Sequence, residues 1–190
     1  MLRQLGAEVV VTREQVSVLF NKHQITRQHV HTVVSLLRQL DKLRGLALHA
    51  LPIDDGNLED ICQIRTIRRL SLCRHQSFTL HGPTISDGGV VHVGNLEELT
   101  ALYLDDTRVT DRGLTALTSL KSLRELYVSG LRLTDASVPI LASFNSLKLL
   151  DVRRNDLSTD AAEKLASMLP RCVIISEHGV SDPGSDAITR

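Results

Sequence analysis

Between Leu99 and Val152 the apolar residues fall in an order that returns every 24 positions. Leu99, Leu102 and Leu104 are followed by Leu123, Leu126 and Val128, then by Leu147, Leu150 and Val152. Each triple follows the pattern L-x-x-L-x-L, with Val allowed at the last place, and leads after about five residues to an apolar position followed by Thr/Ser-Asp, as in Val109-Thr110-Asp111 and Leu133-Thr134-Asp135. Strand side chains alternate between faces, so positions two apart share one side. Leu102 and Leu104 are therefore expected to point inward, and Tyr103 outward. Leu114, Leu117 and Leu120 then recur every third residue. That spacing predicts a short, tight helix closing back over the strand. Thr110 or Asp111 can accept hydrogen bonds from its first free N–H groups, and the carboxylate favours its positive end.

The pattern extends both ways. Cys172-x-x-Ile175 continues it at an interval of 25, because Ser158-Thr159-Asp160 carries one extra residue. Ile67, Leu70 and Leu72 lie 32 positions before the Leu99 triple, and Leu43, Leu46 and Leu48 lie 24 before that. The 32 is a 24 with eight residues inserted within "CRHQSFTLHGPTISD". Gln15-x-x-Val18-x-Phe20 supplies a first copy, 28 earlier. One unit cannot bury its apolar side alone, while each Leu or Val covered by a neighbour contributes roughly 1.5–3 kcal/mol. Stacked units join these sides into one elongated core. Six gaps of about 4.8 Å give a parallel sheet roughly 29 Å wide. Only its helical side has apolar elements to cover it, so the other face is expected to lie open.

"VTDRGLTAL" and "ISDGGVVHV" carry a V/I-T-D-x-G-L signature, and "AAEKLASMLPRC" has the character of a closing unit. In these segments the chain resembles the leucine-rich repeat family, most closely its short bacterial repeats, over residues 15–176. The first copy, the insertion and Arg27 in place of the recurring Asp depart from the pattern. The resemblance implies an α/β fold: a right-handed solenoid of about seven strands, with a concave parallel sheet and short convex helices. Residues 1–14 would form an N-terminal cap segment, and the insertion would fall near 73–84. The polar, Gly- and Pro-containing stretch 177–190 is expected to be a disordered tail. The resemblance also implies a non-catalytic surface for binding another protein.

The outward strand positions form three columns. Ser17, Gly45, Arg69, Ala101, Glu125 and Leu149 make the first. Leu19, Ala47, Ser71, Tyr103, Tyr127 and Asp151 make the second, and Asn21, His49, Cys73, Asp105, Ser129 and Arg153 the third. Tyr103 and Tyr127 are expected side by side, flanked by Leu149 and Glu125 and by Asp105, Asp151 and Arg153. Tyrosine offers a large rigid face with a polar tip and is favoured at binding hot spots. The plainer alternative is that the pair stabilises the sheet. A weaker binding candidate is the insertion, with His75, Phe78 and His81; the plainer alternative there is a tolerated loop expansion.

Composition narrows the chemistry. Lys plus Arg equals Asp plus Glu, 22 against 22, which argues against a general footprint for nucleic acid or acidic membranes. No apolar run is long enough for a membrane span, and the start lacks the apolar core of a secretory signal. Three Cys without a CxxC pair indicate neither a disulfide framework nor a zinc site. A reducing, cytoplasmic setting and a monomer are expected. His29 and His31, two apart on a helix, face different ways. No phosphate loop occurs, and no metal or cofactor is expected. The Asp residues at 55, 87, 111, 135 and 160 read as helix starters, one per repeat. Two alternatives stay open: a substrate-selecting or regulatory subunit using the convex side or the 73–84 loop, and an enzyme built on Cys73 or the loop histidines.

Overall fold

The computed structural model describes residues 1–5, 7–11, 16–20, 27–49, 51–74 and 83–183. The repeat at Leu99 shows how one unit is made. Strand β5 (Ala101–Tyr103; strands and helices are numbered in chain order) buries Leu102, with Leu99 and Leu104 buried on either side. Thr110 then takes an extended conformation and accepts a hydrogen bond from Arg112 N. Helix α4 (Asp111–Thr115) follows and tightens into a 3-10 turn at Ala116–Ser119. Leu114, Leu117 and Leu120 all lie in the core. Their spacing of three is thus served by an α turn that narrows, rather than by one uniform helix.

Stacking gives a single sheet in the order β1 to β9. The seven parallel strands are β2 (Val16–Phe20), β3 (Leu43–Ala47), β4 (Arg69–Ser71), β5, β6 (Glu125–Tyr127), β7 (Leu149–Asp151) and β8 (Val173–Ser176). The core column runs Val18, Leu46, Leu70, Leu102, Leu126, Leu150 and Ile174 in register. Its last member corrects the alignment of the final repeat. Ile174, not Ile175, continues the column, and Cys172 fills the position before it. The extra residue is absorbed ahead of Cys172, where α6 (Thr159–Met168) is the longest of the later helices. The other helices, α1 (Arg27–Arg38), α2 (Asp55–Ile61), α3 (Asp87–Val93) and α5 (Val138–Ala142), line the same covered side.

Among the described residues nine strands form rather than about seven, because an antiparallel strand closes each end. β1 (Ala7–Val11) pairs with β2, and β9 (Gly179–Ser181) pairs with β8. The second pairing amends the disordered tail expected over 177–190. Gly179 turns the chain at φ 133, and His178 Nε2 lies 3.0 Å from Leu157 O. A tight hairpin with one docked side chain needs little apolar surface, so composition does not signal it. Residues 184–190 lie outside the described residues.

The recurring Asp does more than start helices. Asp87 accepts from Thr110 N and Thr110 Oγ1 of the next repeat, both at 2.7 Å. Asp111 does the same with Thr134 at 3.0 and 2.6 Å, and Asp135 with Ser158 at 2.8 and 2.8 Å. Asp55 holds the backbone and hydroxyl of Ser86 likewise. Each carboxylate thus clasps the cap of the following helix, while the cap itself is the Thr or Ser. The glycine of the signature belongs to this device. A Cβ on Gly113 would fall 2.2 Å from Asp87 Oδ1, and one on Gly89 would fall 2.3 Å from Asp55 Oδ1. The two glycines leave room for the preceding clasp. Ser137 stands at the equivalent position in the next repeat. Its hydroxyl is buried without a partner, and its turn is 3-10 rather than α.

Candidate functional site

The first two outward columns align as read from the sequence, while Asn21 of the third lies outside the described residues, and the outward positions are not evenly exposed. Ala101 is 1% exposed, Ser129 5% and Asp151 2%. Asp151 is therefore corrected from a surface contact to a buried anchor. Arg153 closes over it, with Nε 3.0 and 3.1 Å from its two oxygens and Nη2 at 2.6 Å. Arg153 itself stays about half exposed.

Tyr103 and Tyr127 are brought together by the β5–β6 register. Their rings stack with centroids 4.5 Å apart and planes 16° from parallel. Side groups fix the stack. Tyr103 OH donates to Glu125 Oε2 at 2.9 Å and accepts from Arg69 Nη2 at 3.2 Å, and Arg69 lies 3.7 Å from Glu125. Burial raises the Tyr103 hydroxyl pKa, and the Glu125 bond raises it further. Tyr127 is raised by burial and then by the Glu125, Asp151 and Asp105 carboxylates. Both rings therefore remain neutral near pH 7, with their O–H groups intact as donors. Leu149 sits half-buried beside Glu125 on the next strand.

Beyond the tyrosines the third column borders a groove of about 780 Å³, lined by His49, Cys73, Asp105, Arg153, Arg154 and Glu177 among others. Cys73 Sγ donates to Asp105 Oδ2 at 3.2 Å, and Asp105 Oδ1 accepts from Ser129 N at 2.9 Å. Burial pushes the Cys73 thiol up to about 12, so it stays protonated near neutrality. Asp105 is also raised, chiefly by burial. Arg154 grips Asp106 with two bonds of 2.9 and 3.0 Å. Sequence reasoning missed this pair. Asp106, Gly130 and Arg154 recur at 24-residue intervals and share a left-handed backbone (φ 58, 70 and 54), and that periodicity was the available signal.

His75, Phe78 and His81 lie outside the described residues. His29 and His31 are both exposed on α1. Among the described residues no group of three His, Cys, Asp or Glu side chains is placed to hold a metal, and no helix is long and apolar enough to cross a membrane.

No protein-family model matches the chain, and no curated protein matches it. Solved structures do. An internalin C2 from Listeria monocytogenes is similar at 21% identity with a TM-score of 0.60, covering 93% of this chain and 77% of that one. A leucine-rich repeat protein from Leptospira interrogans is 20% identical with a TM-score of 0.47, covering 75% of this chain and 32% of that one. A further internalin from Listeria monocytogenes is 16% identical with a TM-score of 0.45, covering 77% and 52%. The fold is a leucine-rich repeat solenoid of the kind seen in internalin C2.

Proposed function

We propose that the chain is a non-catalytic recognition module. It binds another protein through the uncovered sheet face, as a monomer, and takes neither nucleic acid nor membrane as its ligand. The observation that carries this reading is the tyrosine stack, 4.5 Å between rings on an uncovered sheet, held by Arg69 and Glu125. A rigid aromatic platform loses little entropy on binding and keeps a polar tip at its rim. Glu125, Leu149, Asp105 and Arg153 border it as contacts, with Asp151 positioning Arg153. The protonated Cys73 thiol, spent on Asp105, supports the absence of a nucleophile there. The loop residues His75, Phe78 and His81 are a second, weaker contact: the chain enters that segment from Arg74, which lines the groove.

The test is affinity capture from native extract, followed by titration of the recovered protein against purified variants. Tyr103→Ser/Tyr127→Ser is expected to weaken binding by about 2–4 kcal/mol. Val91→Ser/Met168→Ser, at exposed positions on α3 and α6, is expected to leave it unchanged. Undiminished affinity of the tyrosine variant, with folding intact, removes the proposal.

A further inference from the structure

A second cleft, of about 730 Å³, adjoins the groove and shares Arg74 and Asp106 with it. Its origin is local. Elsewhere a short second ladder joins the repeats beside the main sheet, bridging Asp54 to Thr84, Ser86 to Arg108 and Thr134 to Asp156. It is made by Thr84 N, Arg108 N and Asp156 N donating to Ile53 O, Ile85 O and Leu133 O, each at 2.8 Å. The equivalent donor in the remaining repeat is Arg132 N, toward Val109 O. Arg132 instead adopts φ 62, and among the described residues no bridge joins its repeat to that of Arg108 at this level. A left-handed backbone is costly for a residue with a Cβ. Between the repeats of Arg108 and Arg132 the ladder therefore opens, at the expense of strain.

Arg74, Arg108 and Arg132 all line this opening. Arg108 and Arg132 are exposed and stand at equivalent positions one repeat apart. Among the described residues no carboxylate holds any of the three guanidinium groups. The single carboxylate in the lining, Asp106, is already bound by Arg154. In a chain with 22 positive and 22 negative side chains, this is a local excess of unpaired cations.

We infer that the cleft receives a carboxylate-rich, Asp- or Glu-containing segment of the protein that docks on the Tyr103–Tyr127 platform. The inference rests on the binding reading above and names the chemistry of its partner. Forked guanidinium donors match carboxylates two bonds at a time. A continuous phosphodiester strand is disfavoured, because the next cations along the adjoining groove, Arg153 and Arg154, are already paired with Asp151 and Asp106 and do not extend the track of unpaired arginines. A peptide can place its charges over the three arginines and neutral residues over those paired groups.

The test uses the full chain and a fluorescein-labelled decaglutamate peptide, read by fluorescence anisotropy at low ionic strength. Arg74→Gln/Arg108→Gln/Arg132→Gln is expected to bind about tenfold more weakly than wild type. Lys42→Gln/Lys164→Gln/Arg171→Gln removes the same charge at exposed sites elsewhere and is expected to change affinity less than about twofold. Circular dichroism verifies that both variants fold. Equal weakening by the two triples overturns the inference, as does no wild-type binding up to about 1 mM peptide. Tighter binding of an oligothymidylate through the same arginines also overturns it and assigns the cleft to nucleic acid. Tyr103→Ser/Tyr127→Ser is expected to bind the peptide like wild type. Failure of the cleft and failure of the tyrosine platform are thus separate results.

Discussion

Replacing Gly113 with alanine sets two physical effects of opposite sign against each other. Gly113 lies inside α4. Helix propensity alone favours Ala over Gly by about 0.8–1 kcal/mol. The added Cβ, however, would stand 2.2 Å from Asp87 Oδ1, 3.0 Å from Asp87 Cγ and 2.9 Å from Val109 Cγ1. The Asp87 carboxylate can swing away only by giving up its bonds to Thr110 N and Thr110 Oγ1, both 2.7 Å. Two such bonds are worth about 2 kcal/mol net, and moving the buried Val109 methyl adds about 1 kcal/mol. Set against the propensity gain, Gly113→Ala should destabilise the fold by roughly 2 kcal/mol. Urea unfolding reads this as a lower midpoint at unchanged slope. In an Asp87→Ala background the clasp is already absent. The same substitution should then cost less than about 0.5 kcal/mol or become stabilising. A stabilised Gly113→Ala in the otherwise native chain would refute the clasp as the reason for this glycine.

Other outcomes follow from the same geometry. Bonds from the Ser158 backbone and hydroxyl hold the Asp135 carboxyl below its usual value. A lowered folded pKa adds stability that is complete above the unfolded value of about 3.9 and is lost as pH falls through the folded one. The stability gap between wild type and Asp135→Asn should therefore be constant near neutrality and close on acidification, and a gap that widens in acid contradicts this. Asn155 Nδ2 donates to Val128 O and Val152 O at 2.9 and 2.8 Å, and its Oδ1 accepts from Leu131 N and Leu133 N at 3.1 and 2.9 Å. Asn155→Ala should cost about 2–4 kcal/mol in urea unfolding, and a loss below about 0.5 kcal/mol counts against that role. Cys73, with its thiol pushed up to about 12, should react with a disulfide reagent at pH 7.5 at least about a hundredfold more slowly than a free thiol. Labelling of Cys73 at the free-thiol rate would reopen a nucleophilic role.

The architecture was legible because each repeat must bury the same positions. Leu102, Leu126 and Leu150 can share one interior only if their strands align in register, and that alignment sets Tyr103 against Tyr127. What stayed hidden depends on contacts between repeats. No spacing within one copy says that Asp87 reaches forward to Thr110, or that Gly113 makes room for it. Alternation assigns Asp151 to the outer face correctly, yet only the neighbouring guanidinium of Arg153 shows that it is covered. The final strand slipped by one residue because the extra residue lies before Cys172 and the L-x-x-L step shortens there. The missing bridge beside the second cleft coincides with a left-handed backbone at Arg132, which its side chain does not announce.

Photo-crosslinking tests the central claim most directly. With Tyr127→p-benzoylphenylalanine on the sheet face and Val91→p-benzoylphenylalanine at an exposed site on α3, irradiation with the captured partner is expected to yield a covalent adduct from position 127 and none from 91. An adduct from position 91 with none from 127 would place the partner on the helical side and contradict the account.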